Sequence, residues 1–156
     1  CPFAAREVKQ DTIRYRVEPA IGKKECLQSL IEECIHLDNN TSVVTTLIIL
    51  PGAFERFDEY LDIVSLCEEL LITEGYEGIY QLASFHPFYQ FSGTTLEDPA
   101  NYTNRSVYPM LHILREEAID KAVKKFGDAA KIPDRNISFA TEKGLVYMKM
   151  LRESCF

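Results

Sequence analysis

A histidine followed by a proline stands in the stretch ASFHPFYQFSGT, residues 83–94, and it is one of three histidines in the chain. Histidine suits general acid or base catalysis because its usual pKa is about 6.5. Pro87 restricts His86 to extended backbone, which would hold the ring in a fixed place. We therefore interpret His86 as a candidate catalytic residue. On position alone, a histidine hydrogen-bonded within a packed corner is an equally good interpretation.

A second stretch, NYTNRS, places hydrogen-bond donors just before a segment with helical spacing of apolar residues. The amino end of a helix carries free N–H groups and partial positive charge, which suit phosphate, sulfate or carboxylate. The alternative is that the serine caps the helix, the asparagines make turns and the arginine is solvated. The residues we assign to an anion site are Asn101, Asn104, Arg105 and Ser106, with Tyr89 orienting the ligand.

Two further side chains fall within the same predicted helix. His112, Arg115 and Glu116 are at i, i+3 and i+4, hence on one side of it. His112 is a second catalytic candidate, and Arg115 would add to the ligand-binding residues. On spacing alone, an exposed ion-paired helix face is the other interpretation.

Cys1 opens CPFA, half of a thioredoxin-like CPxC motif with Ala4 in the place of the second thiol. A cysteine attacks only as the thiolate, so Cys1 would need a basic partner such as His86. A thiol-dependent enzyme using this pair is one hypothesis. A buried small apolar residue near a chain end is the alternative.

The elements that must position these residues follow from periodicity. Strands are predicted at 12–18, 43–50 and 79–85, and helices at 23–37, 55–71 and 109–127, with a last helix over 134–152 interrupted at Gly144. This pattern predicts an α/β fold over residues 1–156. We expect a small, mostly parallel three-stranded sheet, β-α-β-α-β in the order 1-2-3, with additional C-terminal helices. Ligands would then bind at the carboxyl ends of the strands, at 19–22, 51–54 and 86–88.

Composition excludes some partners. The net charge of -7 and pI of 5.0 argue against a broad nucleic-acid or anionic-membrane surface. The longest apolar stretch, near 43–50, is too short to span a bilayer. Five cysteines without CxxC spacing indicate reduced thiols, so we expect a soluble cytoplasmic protein. No motif for a metal or cofactor is present, and the sequence leaves substrate and oligomeric state open.

Three blocks of the chain resemble the bacterial domain-of-unknown-function family DUF1415: CPFA at 1–4, ASFHPFYQFSGT at 83–94 and ANYTNRSVYPMLHILRE at 100–116. The family's blocks read CPFA, ASFHPxYQFxGT and ANYTNRSPYPxLHxLRE, so Val107 stands where the family usually has proline. The resemblance implies a shared fold and one site built from the three blocks. It also implies a helical segment before Cys1, so we expect the chain to be truncated. It implies no activity.

Our first hypothesis is an intracellular enzyme or binding protein for a small anionic ligand bearing phosphate or carboxylate, with His86 as general acid or base. The second is the thiol-dependent enzyme. The third is a non-catalytic protein-interaction module whose aromatic patch contains Phe85, Phe88, Tyr89 and Phe91.

Overall fold

The structure is a computed structural model that describes residues 2–126 and 131–156. Its helices are α1 (Pro2–Gln10), α2 (Lys23–Asn39), α3 (Phe57–Thr73), α4 (Glu116–Phe126) and α5 (Ile132–Glu153), its strands are β1 (Ile13–Val17), β2 (Thr45–Ile49), β3 (Tyr80–Phe85) and β4 (Met110–Arg115), and a 3₁₀ turn (Pro99–Thr103) precedes β4. The mixed α/β class is confirmed. The predicted strands and the first two predicted helices are confirmed too, with small shifts at their ends.

The four strands form one mixed sheet in the order β1-β2-β4-β3. β1 and β2 are parallel, whereas β4 runs antiparallel to both β2 and β3. The core lies between one face of the sheet and helices α2 and α3, whose buried residues recur at helical spacing. The largest fully buried apolar side chains of this core are Leu30, Leu37, Ile48, Leu50, Tyr60, Ile63, Leu111 and Ile113.

The predicted mostly parallel three-stranded sheet in the order 1-2-3 was wrong in one respect: residues 110–115 form a fourth strand between the second and third strands, and not the first turns of a helix. β4 pairs along its whole length with β2 on one side and β3 on the other. Leu111 and Ile113 are fully buried in the helix-covered face, which is period-two burial, and the helix begins only at Glu116. The apolar spacing fitted a helix locally, but pairing on both sides decided the conformation.

β1 lies at the edge of the sheet, as expected, but its two faces are used in an unexpected way. Arg14 and Arg16 point toward α2, where both bind the buried Glu33 at 2.7 and 3.3 Å. The apolar Tyr15 and Val17 lie on the other face and are exposed. In most alternating strands the apolar side chains face the core and the charged ones face solvent; in β1 the charged side chains face α2 and the apolar ones face solvent.

The final helix, α5, is interrupted at Gly144, where φ is 78° and ψ is 164°. This confirms the predicted break, since positive φ costs glycine little. The part of α5 that includes Arg152 returns to the loop before β4, where Nε of Arg152 donates to the carbonyl of Ser106 at 3.1 Å. No helix in the described part of the chain is both long enough and apolar enough to cross a membrane.

Candidate functional site

His86 follows β3 and has no exposed surface. The Phe88 N–H donates to its Nδ1 at 3.0 Å, so the ring proton is on Nε2, which donates to the Phe54 carbonyl at 3.0 Å. Both ring nitrogens are therefore occupied. Burial lowers the pKa of His86 below its usual range, and the positive charge of Arg152 lowers it further. The ring is a neutral link between the loops that follow β2 and β3.

The rings around His86 hold it in place. Its centroid is 4.9 Å from that of Tyr60 and 5.2 Å from that of Phe57. The Tyr60 hydroxyl donates to the Met110 carbonyl at 2.7 Å and accepts from the Phe85 N–H at 3.0 Å. α3 therefore anchors the end of β3 and the start of β4 through one buried phenol, and burial raises the pKa of Tyr60 well above its usual range.

The loops after β1 and β2 contain unusual backbone. Ala20 has φ of 54° and Phe54 has φ of 51°, and Gly52, which lies against Ala20, has φ of 74°. The left-handed region is unfavourable for alanine and phenylalanine. The Ala20 N–H donates to the Pro51 carbonyl at 2.9 Å, and His86 holds the Phe54 carbonyl. Non-glycine residues in this conformation are a mark of functional loops when the surrounding structure holds them there.

A concave pocket of about 280 Å³ opens at this end of the sheet. Its walls come from the loops after β2 and β3 and from the residues just before β4, and we call it the sheet-end pocket. The lining residues are Gly52, Glu55, Pro87, Phe88, Val107, Tyr108 and Pro109. The Leu50 N–H donates to the Pro109 carbonyl at 2.9 Å, which joins the first wall to the third. The carboxyl ends of the strands were the expected position for a ligand.

Asn101, assigned to the anion site, is fully buried in the loop between β3 and β4. Its Oδ1 accepts from the Phe91 N–H and the Thr94 hydroxyl, both at 2.9 Å, and its Nδ2 donates to the Thr95 carbonyl at 2.8 Å. These bonds use most of the capacity of the amide group. In this structure Asn101 orders the loop from within.

Arg105 and Asn104 also bind the loop. Arg105 donates to the carbonyls of Tyr89 and Leu96 at 3.0 and 2.8 Å, and its guanidinium lies 4.6 Å from the centroid of the Tyr102 ring. The Asn104 carbonyl accepts from the His86 N–H at 3.2 Å, so the two sequence blocks do meet. Tyr89 contributes its carbonyl here, and its ring packs on Phe57 at 5.4 Å.

The expected helix amino end behind these residues is absent, because β4 follows Ser106 and not a helix. Ser106 consequently caps no helix; its hydroxyl donates to the Tyr108 carbonyl. The free N–H groups and partial charge that motivated the anion site therefore do not arise at this point of the chain.

His112 and Arg115 do not share one side of a helix, as had been expected, but lie on opposite faces of β4. The Thr45 hydroxyl donates to the Ile113 carbonyl and so accepts from Nε2 of His112 at 2.6 Å. Burial lowers the pKa of His112 to about 4. Because Leu111 and Ile113 face the helices, His112 between them lies on the sheet face away from α2 and α3. Its ring centroid is 6.2 Å from that of Phe85.

Arg115 is at the opposite end of the sheet from His86. Its guanidinium donates to the Leu37 carbonyl, at the last turn of α2, and to the Val43 carbonyl at 3.3 Å, while Nη1 donates to the Tyr80 hydroxyl at 3.1 Å. The Tyr80 hydroxyl in turn donates to Asp38 at 2.7 Å. Arg115 therefore caps a helix carboxyl end.

Cys1 lies outside the described residues. Of the described thiols, Cys26, Cys34 and Cys67 are buried, and burial raises the pKa of Cys34 to about 12. Cys34 is therefore not a nucleophile near neutral pH. Among residues 2–126 and 131–156, no group of three His, Cys, Asp or Glu side chains is arranged to hold a metal ion.

Sequence reasoning missed two charged residues at this end of the sheet. Glu55 lines the sheet-end pocket. Arg152 comes from α5 and binds the carbonyl of Ser106, next to a lining residue. Neither makes a salt bridge with a described residue. Glu55 follows the predicted β2 turn and could have been found from the open-sheet rule, whereas no local signal brings Arg152 to this site.

Comparison with known proteins identifies the family. Residues 1–150 match the model of the family described as "Protein of unknown function (DUF1415)", and the chain belongs to that family. No curated protein and no solved structure matches the chain.

Proposed function

We propose that this member of the DUF1415 family binds a small organic ligand in the sheet-end pocket. The observation that carries the proposal is the convergence of two loops on one concave pocket: the loop after β2, and both ends of the loop between β3 and β4. A volume of about 280 Å³ lies just below the range of roughly 300–1,000 Å³ typical of ligand pockets, which favours a ligand of few atoms.

In this proposal His86 positions the pocket and does not react. Its two hydrogen bonds fix the loop that carries Glu55 relative to the loop that carries Phe88. A neutral ring without a free nitrogen cannot exchange a proton with a ligand unless one of these bonds breaks. Asn101, Asn104 and Arg105 act at greater distance, by ordering the loop between β3 and β4.

Two exposed aromatic residues support binding at this position. Phe88 is 63% exposed and Tyr108 is 47% exposed, and both line the pocket. Large apolar side chains that remain exposed beside a concave surface are typical of binding sites. They also keep open the hypothesis of a protein-interaction module, in which the occupant would be a side chain of another protein.

The test is a screen of small-molecule mixtures by amide chemical shifts in ¹⁵N-labelled protein. We expect hits to shift the amides of Gly52, Phe88 and Val107 together, and Phe88→Ala to weaken the binding. Leu96→Ala is the matched control, since Leu96 is a 64% exposed apolar residue of the same loop that does not line the pocket. Binding that shifts other amides, or that is equally weak in both variants, would contradict the proposal.

A second candidate is binding of a small anion, which the charges of Arg105 and Arg152 favour. Neither guanidinium has a carboxylate partner among the described residues, although the chain carries a net charge of -7. Unneutralised arginines suit phosphate or carboxylate. Titration with inorganic phosphate would test this candidate. Arg152→Gln should then abolish binding, whereas Lys149→Gln, an exposed change on the same helix, should not.

A further inference from the structure

We infer that the ligand of the sheet-end pocket is an organic ammonium ion, held by the carboxylate of Glu55 and the faces of Phe88 and Tyr108. This inference rests on the proposed function and adds the chemical class of the ligand. Its first support is composition: Glu55 is the one ionisable side chain with a negative charge among the lining residues, and no lining residue is basic.

The charge of Glu55 is available to a ligand. The neighbouring Arg56 is occupied by Asp58, at 2.5 Å, and by Glu59, at 3.7 Å. No described basic side chain forms a salt bridge with Glu55 itself. A cation entering the pocket would therefore contact a carboxylate that is not paired with any described basic side chain.

The aromatic residues add a second attraction for a cation. The face of an aromatic ring attracts an ammonium group within about 6 Å, and aromatic walls are a known means of recognising quaternary ammonium ligands. Phe88 and Tyr108 stand on two different walls of the pocket, one after β3 and one before β4. Pro87 and Pro109 give these walls little conformational freedom, because proline fixes its own φ.

The charge of the whole chain acts in the same direction. A net charge of -7 attracts cations toward the surface and repels anions. Arg152 opposes this locally, since it binds the Ser106 carbonyl behind one wall and its charge acts on His86. Arg152 is not a lining residue, whereas Glu55 is, so the charged side chain that lines the pocket is Glu55.

The experiment compares choline with 3,3-dimethylbutanol, which has the same shape but no charge. Binding is measured by titration of the labelled protein. We expect choline to bind roughly tenfold more tightly. Glu55→Gln should reduce this preference by roughly threefold. Tyr108→Leu, which keeps an apolar wall but removes the ring face, should reduce it by about threefold as well. Glu69→Gln removes the same charge from an exposed position of α3 and should leave the preference unchanged.

The source of the ammonium group is a separate arm. A short peptide with one trimethyllysine is titrated beside free choline. Tighter binding of the peptide would assign the group to a lysine side chain of a partner, and tighter binding of choline would assign it to a small molecule. Both results support the ammonium class.

Three results would overturn the inference, and they are distinguishable from one another. Equal binding of choline and 3,3-dimethylbutanol would show a neutral ligand and leave the proposed function standing. Tighter binding of acetate or phosphate, lost in Arg152→Gln, would favour the anion candidate. If no compound of any charge shifts the lining amides, the proposed function fails together with the inference.

Discussion

The two ends of the sheet are built from similar residues and have different consequences. At the amino end of β2 and β3, Arg115 binds the carbonyls that close α2, and Tyr80 binds Asp38. At the carboxyl end, His86 links the Phe54 carbonyl to the Phe88 N–H, and Arg105 binds two carbonyls within the loop between β3 and β4. Both networks are well satisfied, yet the second one borders the sheet-end pocket.

The difference lies in what the hydrogen bonds hold. Arg115 fixes a helix end that packs into the core, so its bonds serve stability. His86 fixes loops with left-handed Phe54 and exposed Phe88, so its bonds also hold an unfavourable backbone conformation beside a pocket. The type of polar side chain therefore does not distinguish a candidate site from a structural network. The concave surface beside the network, here the sheet-end pocket, makes the distinction.

The largest predicted effect is at the amino end. Arg115→Met removes a half-buried guanidinium. The Val43 carbonyl loses this charged donor, and the Leu37 carbonyl keeps only the N–H of Asn40. Hydrogen bonds to charged groups contribute about 1.5–3 kcal/mol each, so we expect the free energy of unfolding to fall by about 4 kcal/mol. Urea denaturation measures this change.

The control for this prediction is Arg135→Met, an exposed arginine of α5. It should change the free energy of unfolding by less than about 0.5 kcal/mol. If Arg115→Met costs no more than the control, the amino-end network contributes nothing to stability and the contrast between the two ends disappears.

The second effect is a pH dependence of the free energy of unfolding. It originates at His112, which is hydrogen-bonded to Thr45 at the amino end of β2. Its pKa falls from 6.5 to about 4 on folding because of burial. The unfolded chain then binds the extra proton between these values, so stability falls as the pH is lowered from about 6.5 to about 4. At about 1.4 kcal/mol per unit, the loss amounts to about 3 kcal/mol.

Urea denaturation of the parent protein and of His112→Gln between pH 7 and pH 4 measures this loss as a difference of slopes. Other titrating groups cancel in that difference. A histidine NMR titration gives the His112 pKa directly, and a value of about 6.5 in the folded protein would refute the prediction.

The sequence predicted an element correctly where the local spacing of apolar residues determines its conformation. It failed where pairing with strands distant in the sequence determines the conformation. The buried positions Leu30, Cys34 and Leu37 repeat at helical spacing, and α2 follows from them alone. β4 was assigned as a helix because Leu111 and Leu114 also fit that spacing. Only its insertion between β2 and β3 makes the strand favourable, and no local signal encodes that position.

The candidate site shows the same limit. The position of His86 at a strand end was foreseen, and so was its proximity to the NYTNRS block, because both follow from the order of elements. The direction in which each side chain points was not foreseen. Arg105 turned toward loop carbonyls, and Arg152 arrived from a helix whose docking no spacing rule predicts.

A third prediction tests whether the carboxyl-end network is also needed for stability. His86→Phe keeps a ring against Phe57 and Tyr60 but removes both hydrogen bonds, so the Phe54 carbonyl and the Phe88 N–H lose their side-chain partner. We expect a loss of about 2 kcal/mol in the free energy of unfolding, together with shifted amides at Gly52 and Phe88. A stable variant with unshifted amides would show that the ring does not position the pocket.

The smallest predicted effect has the opposite sign and concerns the backbone beside the pocket. Ala20 has φ of 54°, which costs a residue with a Cβ roughly 1–2 kcal/mol, whereas glycine adopts this conformation freely. Ala20→Gly relieves that strain but loses roughly 0.5–1 kcal/mol because unfolded glycine is more flexible. We expect a net gain of about 0.5 kcal/mol in the free energy of unfolding. The matched change Ala118→Gly, within α4, should instead cost about 1 kcal/mol. If both changes destabilise equally, the loops at the carboxyl end store no strain, and the two ends of the sheet differ only in their open surface.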